Sequence, residues 1–253
     1  MNAARLRVHI APLGNNNEDI LGPALNSKAD KICLMVGNTY QDNNKKSIEQ
    51  IRKKAGQSKI PVEVFFCDNY NMPEIIKGIK NIIEVEKGNE IYLNMSSGTH
   101  IQGAGILYAS AILRDHGNLH TYCIDDKISN TTSSHNVRTI QPIPIPTPDE
   151  RLRKALVAIY EHTKNKIGKI SKSECGELLT RLGIINPNPS SGNELQVTMN
   201  YMNQNIIIPL EKRWGLIKTV KEGRKWFIFL TDDGKNSAIY YADSKQDVHG
   251  DRA

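Results

Sequence analysis

The apolar positions of the first 124 residues switch repeatedly between a period of two and a period of three to four. Arg5–Leu13 (RLRVHIAPL) alternates and then meets Gly14-Asn15-Asn16-Asn17, which reads as a strand followed by a tight loop. Asp19–Lys28 is a short helix in which Pro23 is expected to fit only in the first turn. Lys31–Val36 is a strand closed by Gly37-Asn38, and Lys45–Gln57 carries Ile48 and Ile51 at helical spacing. Pro61–Phe66 is a strand. Met72–Glu86 places Ile75, Ile76, Ile79, Ile82 and Ile83 on one helical face. Glu90–Met95 is a strand, Ile101–Arg114 a helix rich in small residues, and Leu119–Ile124 a further strand.

Strands that alternate with helices of this length predict βαβ units, a parallel sheet and an α/β Rossmann-like layer sandwich. Ligands of such sheets sit outside the carboxyl ends of the strands. Three polar loops leave those ends: Gly14–Asn17, Gly37–Asn44 and Asn94–His100. The third, Asn94-Met95-Ser96-Ser97-Gly98-Thr99-His100, joins a strand to a helix start. Backbone N–H groups and the helix dipole favour an anion there, and Gly98 removes side-chain bulk. Ser97 or Thr99 is also a natural N-cap for the helix. The turn is neither G-x-x-x-x-G-K-[ST] nor G-x-G-x-x-G, which disfavours ATP hydrolysis and NAD chemistry.

An Asn-x-[ST]-[SG]-G-T-[KH] turn after the fourth strand, with a polar loop after the first, resembles the CARF domain, the CRISPR-associated Rossmann fold, over about residues 5–142. The resemblance implies a homodimer that binds a cyclic oligoadenylate, most often the four-adenosine ring, across its two-fold axis. By matching position it assigns ligand contacts to Leu13, Gly14, Asn15 and Asn16, to Thr39 and Tyr40, and to Asn94, Ser96, Ser97, Gly98, Thr99 and His100. His100 stands where many members carry Lys, so the charge there depends on pH. Some CARF domains cleave the ring they bind. Ser96 and His100 are the candidates for such a slow, metal-independent ring nuclease, and a different nucleotide ligand is a further alternative.

Gln141–Pro148 carries Pro at every second position, a semi-rigid spacer. The expected organisation is a sensing domain at 1–142, a linker at 143–149, a second domain at 150–242 and a polar tail at 243–253. Thr147-Pro148-Asp149-Glu150 reads as an N-cap, a first-turn Pro and two acids opening a helix with Leu152, Leu156 and Ile159 on one face. Ser171 and Glu174 form a capping box. A third helix runs from Asn193 through Leu210, kinked or divided at Pro209. Two strands flank Lys221–Lys225, and Leu230-Thr231-Asp232-Asp233-Gly234 opens a closing helix. This order resembles the winged helix-turn-helix of archaeal CRISPR-associated transcriptional regulators.

Charge supports that reading. Residues 1–149 hold 16 Lys and Arg against 15 Asp and Glu, whereas residues 150–253 hold 17 against 12. The surplus gathers around the hairpin, and double-stranded DNA is the implied partner. Ser191, Asn193, Gln196 and Asn200 are expected in the groove, Lys221, Arg224 and Lys225 on the wing, and Lys172 on the backbone. Trp214, Trp226 and Phe229 are expected in the core. The four cysteines, Cys33, Cys67, Cys123 and Cys175, lack metal-ligand spacing and read as reduced thiols. No cofactor or metal is expected. Without a signal segment or an apolar run of roughly 20 residues, the chain reads as cytoplasmic.

Overall fold

The structure is a computed structural model and describes residues 5–38, 42–114, 117–124, 137–143, 145–164, 168–186 and 194–242. Among the described residues, those up to Pro146 gather into one compact unit and those from Thr147 to Ala242 into a second.

In the first unit β1 (Arg7–Pro12), α1 (Glu18–Asn26), β2 (Lys31–Gly37), α2 (Asp42–Gln57), β3 (Val62–Cys67), α3 (Met72–Val85), β4 (Glu90–Asn94), α4 (His100–Ile112) and β5 (Asn118–Ile124) follow one another. A further strand, β6 (Val137–Ile140), completes a sheet of order β3-β2-β1-β4-β5-β6. β1 runs parallel to β2 on one side and to β4 on the other. The chain therefore changes its direction of winding between β1 and β4, which puts the loops after these two strands side by side at the sheet's switch point. β6 departs from the expected all-parallel sheet, since it pairs antiparallel with β5. Val137, Arg138 and Thr139 are all exposed, so no alternation of burial betrays this strand in the sequence.

Burial explains the rest. β2 is buried on both faces, as a continuous apolar run in an inner parallel strand should be. Ile20, Leu21, Ile32, Leu34, Ile48 and Ile51 form the core under α1 and α2. The isoleucines of α3 are buried, and Gly105 lets α4 lie against them: a Cβ there would come within 2.7 Å of Ile75 Cγ2. Among the described residues no helix is long and apolar enough to cross a membrane. The cysteines are free, and burial raises the thiol pKa of Cys67 to about 11.

Pro23 does not sit in the first turn of α1 but inside the helix, and is itself buried. A proline there cannot donate to the carbonyl four residues back, which is Asp19 O. The side chain of Asn94 supplies the missing donor: its Nδ2 donates to Asp19 O at 2.8 Å.

The second unit opens with α5 (Glu150–Thr163). Its N-cap is Asp149 rather than Thr147, because the Asp149 carboxylate accepts from Leu152 N at 3.0 Å, an anion at the positive end of the helix. A short strand, β7 (Lys169–Ser171), precedes α6 (Lys172–Arg181), which begins with the expected Ser171/Glu174 capping box. α7 (Glu194–Met202) does not break at Pro209. It continues as two π-helical stretches, Asn203–Ile207 and Pro209–Arg213. At the changeover Asn205 Nδ2 donates to Tyr201 O at 2.9 Å. Beyond Pro209 the ladder closes by i→i−5 bonds such as Trp214 N to Pro209 O. β8 (Ile217–Glu222) and β9 (Lys225–Leu230) form the hairpin, with β7 on the other side of β9. α8 (Asp232–Tyr241) is capped by Thr231, and a Cβ on Gly234 would lie 1.9 Å from Leu216 O, so only glycine fits.

On the α1 face of the first sheet His9 stacks on Tyr92, and Tyr92 on His120, with ring centroids 4.8 Å apart in each case. His9 is buried; its Nε2 lies 2.7 Å from Ser27 Oγ and its Nδ1 3.1 Å from Tyr122 Oη. Ser27 Oγ donates to Ala24 O, so the neutral ring carries its hydrogen on Nε2 and accepts from Tyr122. Burial, helped by Arg7, lowers the His9 pKa from 6.5 to about 4. A depressed histidine pKa gives stability that is full above pH 6.5 and lost as pH falls toward 4, here on the order of 3 kcal/mol. Hydrogen exchange of the β1 and β4 amides should therefore accelerate between pH 6.5 and 4.5 more in the wild type than in His9→Gln. Identical pH dependence in the two proteins would contradict this.

Candidate ligand turn and nucleic-acid interface

The turn from Asn94 to His100 is shaped by bonds its own side chains make inside the protein. Asn94 is fully buried. Its Nδ2 serves Asp19 O, and its Oδ1 accepts from Ser96 N at 2.9 Å. Ser97 is 3% exposed and its Oγ donates to Pro12 O at 2.8 Å, which ties this turn to the end of β1. Ser96 Oγ accepts from Ile124 N at 2.8 Å, which ties it to the end of β5. Thr99 caps α4: its N–H and its hydroxyl both donate to Gln102 Oε1, while Gln102 N donates to Thr99 Oγ1.

The two loops also touch backbone to backbone. A Cβ on Gly14 would lie 1.6 Å from Ser97 O, and one on Gly98 would lie 2.5 Å from Pro12 Cβ and from Gln102 Oε1. Both glycines are thus required by closeness of approach rather than by φ. Leu13 is half-buried, and its N–H donates to Met35 O. Asn16 folds on itself at the start of α1: its Nδ2 donates to Asp19 Oδ1 and its Oδ1 accepts from Glu18 N.

Several groups at the junction are exposed or keep hydrogen-bonding capacity that no described residue takes up. The side chains of Asn15 and His100 are exposed. Ser96 Oγ accepts a bond and keeps its own hydrogen to donate. The N–H groups of Ser97 and Gly98 have no partner among the described residues. All but Asn15, which belongs to the loop after β1, lie at the N-terminus of the 13-residue helix α4, whose dipole favours negative charge. Such a constellation suits an anionic ligand held by amides and one imidazole. Thr39 and Tyr40, assigned to the second loop, lie outside the described residues.

Pro12, Pro23, Asp19, Gln102 and Ile124 also build the turn, and sequence reasoning passed them over. Two left a signal: Gln102 stands three residues after Thr99, the spacing of a capping box, and Pro23 stands four after Asp19. The bond from Ile124 is a tertiary coincidence with no local trace.

Cys33, Glu63 and Glu86 bring candidate metal-ligating atoms within 4.8 Å of one another. Lys31 Nζ already lies between the two carboxylates, 2.8 Å from Glu63 and 2.6 Å from Glu86. Burial opposes its charge, yet hydrogen bonds to Glu63 and Glu86 hold its pKa above the ordinary lysine value. The cluster is an ion-pair triad.

In the second unit Lys221, Arg224 and Lys225 are exposed on the hairpin between β8 and β9, whose turn holds Gly223 at φ 61°. Gln196 and Asn200 are exposed one turn apart on α7, whereas Ser191 and Asn193 lie outside the described residues. Lys172 is half-buried, and its Nζ donates to Asn203 Oδ1 at 3.0 Å. Trp214 and Phe229 are partly buried, but Trp226 contradicts its expected place in the core: it is 45% exposed. Its strand extends past the last core layer, so alternation puts the ring on the inner face, where the Lys172 ammonium rather than core side chains lies over it.

This sheet order and the hairpin behind three helical segments define the class: the chain is a Rossmann-like α/β domain followed by a winged helix domain. Residues 7–127 match the family described as HFX_2341_N:-like, N-terminal. Residues 151–241 match the DUF6293 C-terminal winged helix domain. No curated protein sequence matches the chain.

Among solved structures it is similar to Csm6 of Enterococcus italicus bound to cyclic hexa-2'-fluoro-hexa-dAMP, at 10% identity and a TM-score of 0.42, over 84% of this chain and 57% of that one. It is similar to Can2 of Sulfobacillus thermosulfidooxidans in complex with cyclic tetra-adenylate, at 14% identity and a TM-score of 0.40, over 92% of this chain and 63% of that one. Protein VC1899 of Vibrio cholerae gives 11% identity and a TM-score of 0.39, over 92% and 64%. The chain thus spans less than two thirds of the length of these three proteins.

Two substitutions test the junction. Asn94→Ala strips partners from Asp19 O and Ser96 N and should cost about 2–4 kcal/mol. In a Pro23→Ala background, where residue 23 can donate to Asp19 O, the same change should cost roughly 1 kcal/mol less. Purely additive losses in chemical denaturation would refute the shared carbonyl. Gly14→Ala drives a methyl into Ser97 O and should lower stability by about 1–3 kcal/mol. An unchanged melting temperature would show that the two loops are not in contact.

Proposed function

We propose that this protein is a ligand-responsive, DNA-binding transcriptional regulator: a homodimer whose paired turns bind a cyclic oligoadenylate, cyclic tetra-adenylate first, as part of CRISPR defence. The observation that carries the reading is the pairing of two features in one chain. The first is a switch-point turn with free amides and His100 at a helix N-terminus, beside the loop that carries the exposed Asn15. The second is a winged helix with an exposed basic hairpin. A two-fold ring matches a two-fold interface, since each subunit offers the same donors. Ligand binding acts on DNA affinity only through different affinities for two conformations of the dimer.

Calorimetry with cyclic tetra-adenylate, its linear four-adenosine form and a dinucleotide tests the ligand. One ring per dimer, with His100→Ala reducing affinity about tenfold, is the expected result. No binding of any of the three would abandon cyclic oligoadenylates as the ligand class. On the DNA side, the double change Arg224→Ala and Lys225→Ala should weaken duplex binding and flatten its dependence on salt by roughly two charges. Unchanged affinity and slope would remove the hairpin from the interface.

A further inference from the structure

We propose that Trp226 is a direct contact to duplex DNA, its indole seated on the sugar–phosphate backbone between α6 and the wing; this rests on the DNA-binding reading above. On β9 it shares a face with Ile228 and Leu230, which are buried in the core, while Trp226 itself is 45% exposed. An exposed indole is an expensive surface to leave in water, and aromatic side chains of this kind are concentrated where one side meets a partner.

Its surroundings say which partner. Lys172 Nζ lies 5.2 Å from the ring centroid, held there by its bond to Asn203. Lys221 is the cross-strand partner of Trp226 in the β8–β9 ladder, and Arg224 and Lys225 follow in the same hairpin. The ring is therefore a flat apolar surface bordered by cations on two elements, with no carboxylate but Glu222 in the hairpin, and that one is paired with Lys169. A deoxyribose with a phosphate on either side has the complementary form: an apolar face with anionic edges. Lys172 joins the start of α6, the continuation of α7 and the wing, so the ring is fixed relative to the helices that face the groove.

The test uses the full chain and a fluorescein-labelled duplex of mixed sequence, titrated by anisotropy between about 50 and 200 mM salt. Trp226→Ala should lower affinity about tenfold with the salt slope unchanged, since an apolar contact releases no counterions. Trp226→Phe should stay within about threefold of the wild type. The sequence holds two tryptophans, so Trp214→Phe leaves Trp226 as the sole indole. Acrylamide should quench its fluorescence freely in the unbound protein and much less when duplex is present. Wild-type affinity in Trp226→Ala, or an indole equally open to acrylamide with and without duplex, overturns the assignment. Should Trp226→Ala lose its fold by circular dichroism, the acrylamide measurement in Trp214→Phe decides alone. Absence of any salt-dependent duplex binding by the wild type defeats the DNA-binding reading itself, a result distinct from binding that ignores Trp226.

Discussion

One buried amide holds the switch point of the Rossmann unit together. Pro23 interrupts α1 and leaves the Asp19 carbonyl without its helical donor. Asn94, the last residue of β4, fills that gap with Nδ2 and turns its Oδ1 to Ser96 N. A single side chain thereby satisfies a helix on one side and starts a turn on the other. Both groups are out of water, where an unpaired donor or acceptor is costly. The turn's path follows from this anchor: Ser96 is delivered to Ile124, Ser97 to Pro12, and Thr99 to the head of α4.

That arrangement divides the polar residues of the turn into two kinds. Asn94, Ser97 and Thr99 spend their hydrogen-bonding capacity inside the protein. Asn15 and His100 are exposed, and the remaining hydrogen of Ser96 and the amides of Ser97 and Gly98 have no partner among the described residues. Side-chain polarity alone does not separate these groups, because a serine that holds a loop and one that holds a phosphate have the same letter. The difference lies in which carbonyl happens to be 2.8 Å away.

Periodicity made most of the architecture legible. Each helix and parallel strand of the first unit could be located because burial against a sheet imposes a period, and the isoleucines of α3 show it most clearly. What escaped were elements that no period marks. β6 is exposed at the sheet edge, and β7 has three residues. Pro23 and Pro209 were both expected to disturb helices, and both are absorbed: the first by a donor from another element, the second by a shift to i→i−5 bonding. Local rules for proline describe an isolated helix, and tertiary donors or a widened ladder lift them. Trp226 escaped for the opposite reason, since its place in an alternating strand is regular and only the end of the core leaves it uncovered.

The closeness of Gly14 to Ser97 and of Gly98 to Pro12 has a consequence for how such a protein can change over time. The positions that decide whether the turn exists are not the ones its surface presents. His100 can be exchanged for lysine, or Asn15 for another polar residue, without touching a bond that shapes the loop. The exposed face of the turn can therefore drift by surface substitution while the scaffold beneath it stays intact.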